Sequence, residues 1–176
     1  MTLPPTVSMT PSQTIGPFSH EGWRWATAIT DDAPRCTTAI TISGVLRDGA
    51  GAVVNDGMIE AWAPDAAAGE ADHALPGFRR VASDDDGRFT LSLPRPQPGQ
   101  PVALITLFAR GLVLHQFSAV FLDDDAALDQ AAILQQVPAA RRATLIARNT
   151  GPATYEWNIV MQGEHETVFF DYAGAP

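Results

Sequence analysis

The chain has 176 residues, of which 45% are hydrophobic and 18% charged, a composition typical of one globular domain large enough to bury a core. The formal net charge of −9 argues against nucleic-acid binding, because phosphate recognition needs a basic surface. The single cysteine, Cys36, excludes an internal disulfide and a cysteine-rich zinc site. We expect a cytoplasmic protein, since neither a signal peptide nor an apolar run near the ~20 residues of a membrane span is visible.

The first part of the chain is predicted to be an extended arm. Residues 1–20 are rich in proline, show no helical period and carry turn-forming residues at Pro11, Gly16 and Pro17. The remaining residues, 21–176, are predicted to form one domain. Without further information, an arm of this composition is more often a mobile tail than part of a binding site.

A mainly β domain is predicted from short β-branched and apolar runs separated by glycine and proline. Residues 65–77 read as a loop. Two short helices are expected, one near Ala126 capped by Asp123–Asp125 and a second over 138–148 that begins at Pro138. The sum favours an antiparallel β-sandwich of the prealbumin-like kind with a short helical excursion between late strands. Strands are predicted over residues 38–46, 58–64, 88–93, 102–109, 112–122, 154–162 and 166–172.

Several segments occur in an order that resembles the intradiol ring-cleavage dioxygenases. The most specific of them are TPSQT beginning at Thr10, LFARG ending at Gly111, RRATLIA beginning at Arg141 and ETVFFD ending at Asp171. Within that family the resemblance is to the alpha subunits of the protocatechuate-cleaving enzymes, and it covers most of the chain. It implies the same mainly β fold.

The resemblance also implies that iron lies on another chain. In the family a His-x-His pair and two tyrosines hold ferric iron, whereas this sequence has Val102 and Leu104 at the two histidine positions. Both tyrosines of this chain follow residue 154, and its four histidines are scattered without ligand spacing. We expect no metal site in this chain, and we expect the side chains of Val102 and Leu104 to be packed in the hydrophobic core.

The activity implied is that of a heteromer. Together with an iron-bearing beta subunit, the chain would help to cleave protocatechuate between its two hydroxyl groups with O2 and Fe(III), giving 3-carboxy-cis,cis-muconate in aromatic-compound catabolism. A higher oligomer of alpha–beta protomers is expected, and the chain alone is expected to be inactive. The alternative interpretation is a stand-alone prealbumin-like binding module without catalysis.

The resemblance further implies which residues line the substrate pocket between the subunits. Arg110 of LFARG would present a permanently charged, planar guanidinium near the substrate. Thr14, Ile15, Gly16 and Pro17 of the arm would form pocket wall. From the residues alone, the competing interpretation of Arg110 is an ordinary surface or interface arginine.

Overall fold

The computed structural model describes residues 13–16, 22, 24–28, 30, 38–63, 70 and 72–171. Its helices are α1 (Arg24–Ala28) and α2 (Ala132–Gln136), with 3₁₀ helices at Leu128–Gln130 and Ala139–Leu145. Within these ranges, no helix is both long and apolar enough to cross a membrane. The strands are β1 (Ala39–Arg47), β2 (Met58–Trp62), β3 (Phe78–Ala82), β4 (Arg88–Pro94), β5 (Ala103–Phe108), β6 (Gln116–Leu122), β7 (Ile146–Gly151), β8 (Thr154–Glu156) and β9 (Ile159–Val160).

The strands follow one continuous path in the order β3-β2-β5-β6-β7-β8-β1-β4, with β9 pairing to β1. Most pairs are antiparallel, but β1 pairs in parallel with β8 and β9, and β6 pairs in parallel with β7. The two end strands approach each other where Arg79 Nε on β3 donates to Ser92 O on β4 at 3.0 Å. The sheet is therefore nearly closed. The mainly β prediction and its helical excursion are confirmed, whereas the prealbumin-like sandwich stays a prediction.

The core follows from alternation along the strands. In β1 the side chains of Ile40, Ile42 and Leu46 are at most 2% exposed, while Thr41, Ser43 and Val45 face outward. Gly44 shares the inner face, where a larger residue would not fit because a Cβ would lie 1.8 Å from Trp157 O. Each fully buried aliphatic side chain stabilises the fold by roughly 1.5–3 kcal/mol. Period-two patterning thus fixes which face of the strand is buried.

Several predicted elements differ from those observed. The predicted strand over 112–122 begins only at Gln116, and β3 was not predicted. The expected helix over 138–148 ends at Leu145, because Ile146 and Ala147 pair in parallel with the end of β6. The expected strand over 166–172 is reduced to one bridge between Phe117 and Phe170. The late start of β6 follows from the local turn at Gly111, whereas the end of the helix is decided by a partner distant in sequence.

The acidic residues before the helical excursion bind backbone amides of neighbouring loops. Asp123 Oδ1 accepts from Asn149 N at 3.0 Å, and Asp125 Oδ2 accepts from Gly99 N at 2.7 Å. Ala127 occupies the N-cap position of the first 3₁₀ helix and makes no side-chain capping bond. Asp125 Oδ1 nevertheless accepts from Ala127 N at 2.8 Å and Asp125 O accepts from Leu128 N at 3.1 Å, so the predicted acidic cap is found in part, at Asp125.

Asp124 belongs to a separate network with Arg95 and Tyr155. Arg95 donates to Asp124 Oδ1 and to the Tyr155 hydroxyl, both at 2.7 Å, and Tyr155 donates to Asp124 Oδ2 at 3.0 Å. Burial opposes ionisation of Asp124, but these hydrogen bonds outweigh it, so the pKa of Asp124 lies below its usual value. The Tyr155 oxygen is thus engaged in holding β8 to the loop after β6.

Candidate functional site

A tight turn at the end of β5 projects Arg110 outward. The strand ends at Phe108, Ala109 is 1% exposed, and Leu112 N donates back to Ala109 O at 3.2 Å. Gly111 takes φ +90°, a conformation that side-chain-bearing residues rarely adopt. The chain therefore reverses just after Arg110, whose side chain is 62% exposed.

The arm meets this turn through Thr14. The Thr14 hydroxyl donates to Ala109 O at 3.3 Å and accepts from Gly111 N at 3.1 Å. These two groups flank Arg110 on its amino and carboxyl sides. One hydroxyl thus holds the backbone on both sides of the arginine, across more than ninety residues of sequence. The structure brings together two residues that the sequence predicted for one site.

The Arg110 guanidinium is paired with a carboxylate that sequence reasoning did not select. Arg110 Nε lies 3.0 Å from Asp56 Oδ2, and the Asp56 side chain is only 9% exposed. The contact is an ion pair without hydrogen-bond geometry, and Asp56 Oδ2 has no hydrogen-bond partner among the described residues. A buried carboxylate oxygen left in this way is unusual and points to a functional contact.

The backbone beside Asp56 is held firmly. Gly57 N donates to Ser83 Oγ at 2.9 Å, and Ser83 N donates to Gly57 O at 2.9 Å. A Cβ at Gly57 would lie 2.3 Å from the Leu46 side chain, so only glycine fits without displacing it. The Asn-Asp-Gly turn before β2 was readable from sequence as a turn, but its carboxylate could not be assigned a partner.

Asp56 and Arg110 open onto one cleft of about 360 Å³. Gly111, Leu112 and Met161 contribute further wall. A concave site with a few polar groups on an otherwise mixed surface suits a small organic ligand. Among the described residues that line the cleft, Arg110 is the single permanent cation, and it stands beside two carboxylates, Asp48 and Asp56.

For the other predicted arm residues, the structure shows no hydrogen bond with Arg110 among the described residues. Ile15 and Gly16 are half-buried, and Gly16 has φ +79° with open space where a Cβ would stand. Pro17 lies outside the described residues. The structure thus places Thr14 against Arg110, while pocket lining by Ile15, Gly16 and Pro17 remains a prediction.

The two positions predicted to match metal-binding histidines lie at the opposite end of β5, Val102 just before the strand and Leu104 within it. Val102 is 1% exposed and belongs to the core, as expected. Leu104 is 36% exposed and stands opposite Trp62, which is 43% exposed. The expectation that both positions are core is therefore wrong for Leu104, because strand alternation turns it to the outer face of the sheet.

The donor set at this end does not fit ferric iron, since the hydrocarbon side chains of Val102 and Leu104 have no donor atom. Across the ranges that the structure covers, no three His, Cys, Asp or Glu side chains cluster as a metal site.

Comparison with known proteins gives the family. No family model matches the sequence. The chain is 33% identical to the protocatechuate 3,4-dioxygenase alpha chain of Burkholderia cepacia over 194 residues, covering 94% of this chain and 98% of that protein. It is also 33% identical to the alpha chain of the same name from Pseudomonas putida, covering 93% and 96% of the two chains.

The fold has a solved counterpart in the dioxygenase domain of a carbohydrate-binding fusion protein from Streptomyces sp. SirexAA-E. That match has a TM-score of 0.52 at 20% identity, and it covers 89% of this chain and 99% of that domain. The likeness shows a shared fold. Together with the identity to the two alpha chains over nearly their whole length, it shows that this chain belongs to the protocatechuate 3,4-dioxygenase alpha chain family.

Proposed function

We propose that this chain is the subunit without iron of a heteromeric protocatechuate 3,4-dioxygenase. An iron-bearing beta subunit completes the active site, and the complex cleaves 3,4-dihydroxybenzoate with O2 to 3-carboxy-cis,cis-muconate. Family membership supports the reaction class. The role of this chain is inferred from one contact. Thr14 of the arm is hydrogen-bonded to the turn on which Arg110 is exposed.

The role proposed for Arg110 is to bind the carboxylate end of the substrate. The protein as a whole carries a net charge of −9, so an anionic substrate approaches against an unfavourable field. A guanidinium that is 62% exposed at the rim of a cleft offers a local positive charge and planar donors that match a carboxylate. This places the recognition of charge on this chain and the ring chemistry on its partner.

The arm supplies the second part of the proposal. Residues 1–20 form a segment that reaches the inter-subunit site, and residues 21–176 form the β domain. Thr14, Ile15, Gly16 and Pro17 provide wall beside Arg110. Glycine at position 16 permits close approach of backbone to a ligand, and proline at position 17 restricts the chain that follows.

Ferric iron is assigned to the beta subunit. Bound there, it supplies the activation of the catechol ring towards O2. This chain orients the substrate and closes one side of the pocket, and higher oligomers of alpha–beta protomers are the expected assembly.

Co-expression tests the subunit assignment. Expressed alone, the chain should be colourless, free of stoichiometric iron and inactive on protocatechuate. Expressed with the beta chain of the same source, it should purify as a coloured, iron-containing complex that cleaves protocatechuate. A chain that remains a monomer beside the beta chain would support the stand-alone binding module instead.

Arg110→Ala tests the proposed contact. We expect the KM for protocatechuate to rise about tenfold, the equivalent of one charge-assisted hydrogen bond, with iron content and assembly unchanged. Normal kinetics in a complex that assembles poorly would show that Arg110 serves the interface.

A second variant, lacking residues 1–17, tests the arm. The kcat and KM for protocatechuate should change clearly, whereas the melting temperature of the complex should change little, because an arm contributes little to the hydrophobic core. Unchanged kinetics would remove the arm from the site.

A further inference from the structure

We propose that Asp56 is a positioning residue that orients the Arg110 guanidinium towards the substrate carboxylate. This inference rests on the proposed function, since it concerns how Arg110 performs that role. The observation that points to it is a buried carboxylate paired with the inner edge of an otherwise exposed arginine.

The geometry of the pair leaves the outer edge of the guanidinium available. Asp56 Oδ2 lies 3.0 Å from Nε, the nitrogen nearest the stem of the side chain. The terminal nitrogens Nη1 and Nη2 carry four N–H groups, and among the described residues none of these makes a hydrogen bond. Two parallel donors on one edge match the two oxygens of a carboxylate.

Both ends of the Arg110 side chain are therefore held. Thr14 fixes the peptide groups on either side of its Cα, at 3.3 and 3.1 Å. Asp56 holds the head, and its own backbone is fixed through the reciprocal Gly57–Ser83 hydrogen bonds. An arginine held in this way loses less side-chain freedom on binding than a free one, which favours the bound state.

The burial of Asp56 argues against a purely structural role. A buried carboxylate is normally hydrogen-bonded on both oxygens, yet within the described part of the chain Asp56 Oδ2 has only the ion pair with an arginine that is 62% exposed. Such a carboxylate contributes little to the fold while directing the one cation that it faces. The negative charge of Asp56 also repels an anionic substrate. If Asp56 orients Arg110, removing its charge should weaken substrate binding, whereas if only net charge matters, removing it should strengthen binding.

The test is a double-mutant cycle in the assembled alpha–beta complex. Asp56→Asn removes the charge and keeps the shape. Positioning predicts that kcat/KM for protocatechuate falls about tenfold, whereas the inhibition constant of catechol, which lacks the carboxylate, changes less than about twofold. In an Arg110→Ala background, Asp56→Asn should have no further effect, because the two residues act as one unit.

Asp124→Asn is the matched control. It removes the carboxylate of another arginine pair, with Arg95, that lines a different cleft. We expect this variant to leave kcat/KM for protocatechuate unchanged.

Each other outcome overturns the inference. A rise in kcat/KM on Asp56→Asn would mean that only net charge matters, and equal losses for protocatechuate and catechol would mean a general distortion. If Asp56→Asn abolishes assembly while Arg110→Ala assembles normally, Asp56 serves the fold. Unchanged kcat/KM in Arg110→Ala would refute the proposed role of Arg110, whereas a loss in Arg110→Ala alone would refute only the role of Asp56.

Discussion

Two arginine–carboxylate pairs in this chain use the same chemistry in different ways. Arg79 and Glu70 are buried, with side chains 3% and 0% exposed. Glu70 accepts two bonds from the Arg79 guanidinium and a third from Gly77 N at 2.8 Å. Arg79 also donates to the carbonyls of Phe78 and Ser92. Four of the five Arg79 N–H donors and both Glu70 oxygens thus have partners, and we call this the saturated pair.

The Arg110–Asp56 pair is incomplete by comparison. Its carboxylate is buried, its guanidinium is 62% exposed, and the contact between them lacks hydrogen-bond geometry. The difference shows that burial of one partner is not enough to identify a structural ion pair. A pair whose donors all have partners stabilises the fold, whereas a pair with exposed, unsatisfied donors at a cleft is available to a ligand.

The largest expected effect comes from breaking the saturated pair. Glu70→Ala leaves the Arg79 guanidinium buried without its counter-ion, which typically costs about 3–5 kcal/mol. We expect the free energy of unfolding, measured with urea, to fall by that amount. A loss below about 1 kcal/mol would show that the pair is not as buried in solution as its contacts indicate.

Acid should weaken the same pair. Burial opposes ionisation of Glu70, but hydrogen bonds from Arg79 and Gly77 outweigh it and hold its pKa below the ordinary value of 4.5. A carboxyl with a lowered folded-state pKa contributes stability that is present above 4.5 and is lost as pH falls through the folded value. The stability difference between wild type and Glu70→Gln should therefore be constant from pH 7 to 5 and shrink below 4.5. A difference that grew in acid would contradict the assignment.

Breaking the incomplete pair should affect stability much less. Arg110→Ala removes a partner that is 62% exposed and lets water reach the Asp56 carboxylate from the cleft, so the pair should behave like an exposed ion pair, which contributes about 0–1 kcal/mol. We expect a change in the free energy of unfolding within about 1 kcal/mol, together with the kinetic defect described above. If Arg110→Ala destabilises the chain as strongly as Glu70→Ala, the contrast between the two pairs fails.

Breaking the arm contact should also have only a small effect on stability. Thr14→Val keeps the shape and removes both hydrogen bonds to the turn around Arg110, at an expected cost of about 0.5–1.5 kcal/mol. The more specific measurement is hydrogen exchange of the Gly111 amide, which should become faster in the variant. Thr27→Val is the matched control: among the described residues its hydroxyl bonds to Arg24 O, three residues earlier, and its removal should leave that amide unchanged.

Local patterns were sufficient for much of the sheet. The β-branched and apolar runs predicted strands where β1, β2, β4, β5 and β6 are observed. The helical excursion was also predicted, but its end was not, because β7 depends on a parallel partner in β6. β3 was missed, since its five residues include two arginines, Arg79 and Arg80, whose partners lie on other segments.

The sequence alone determined the family, the absence of ligand atoms at Val102 and Leu104, and the choice of Arg110 and Thr14 as site residues. Only the tertiary structure decided that the Thr14 hydroxyl holds both peptide groups beside Arg110, that Leu104 faces outward, and that Asp56 is the partner of the guanidinium. The reason is physical. Side-chain type and period are local properties, whereas a hydrogen bond or an ion pair across fifty or more residues exists only once the sheet has brought its two ends together.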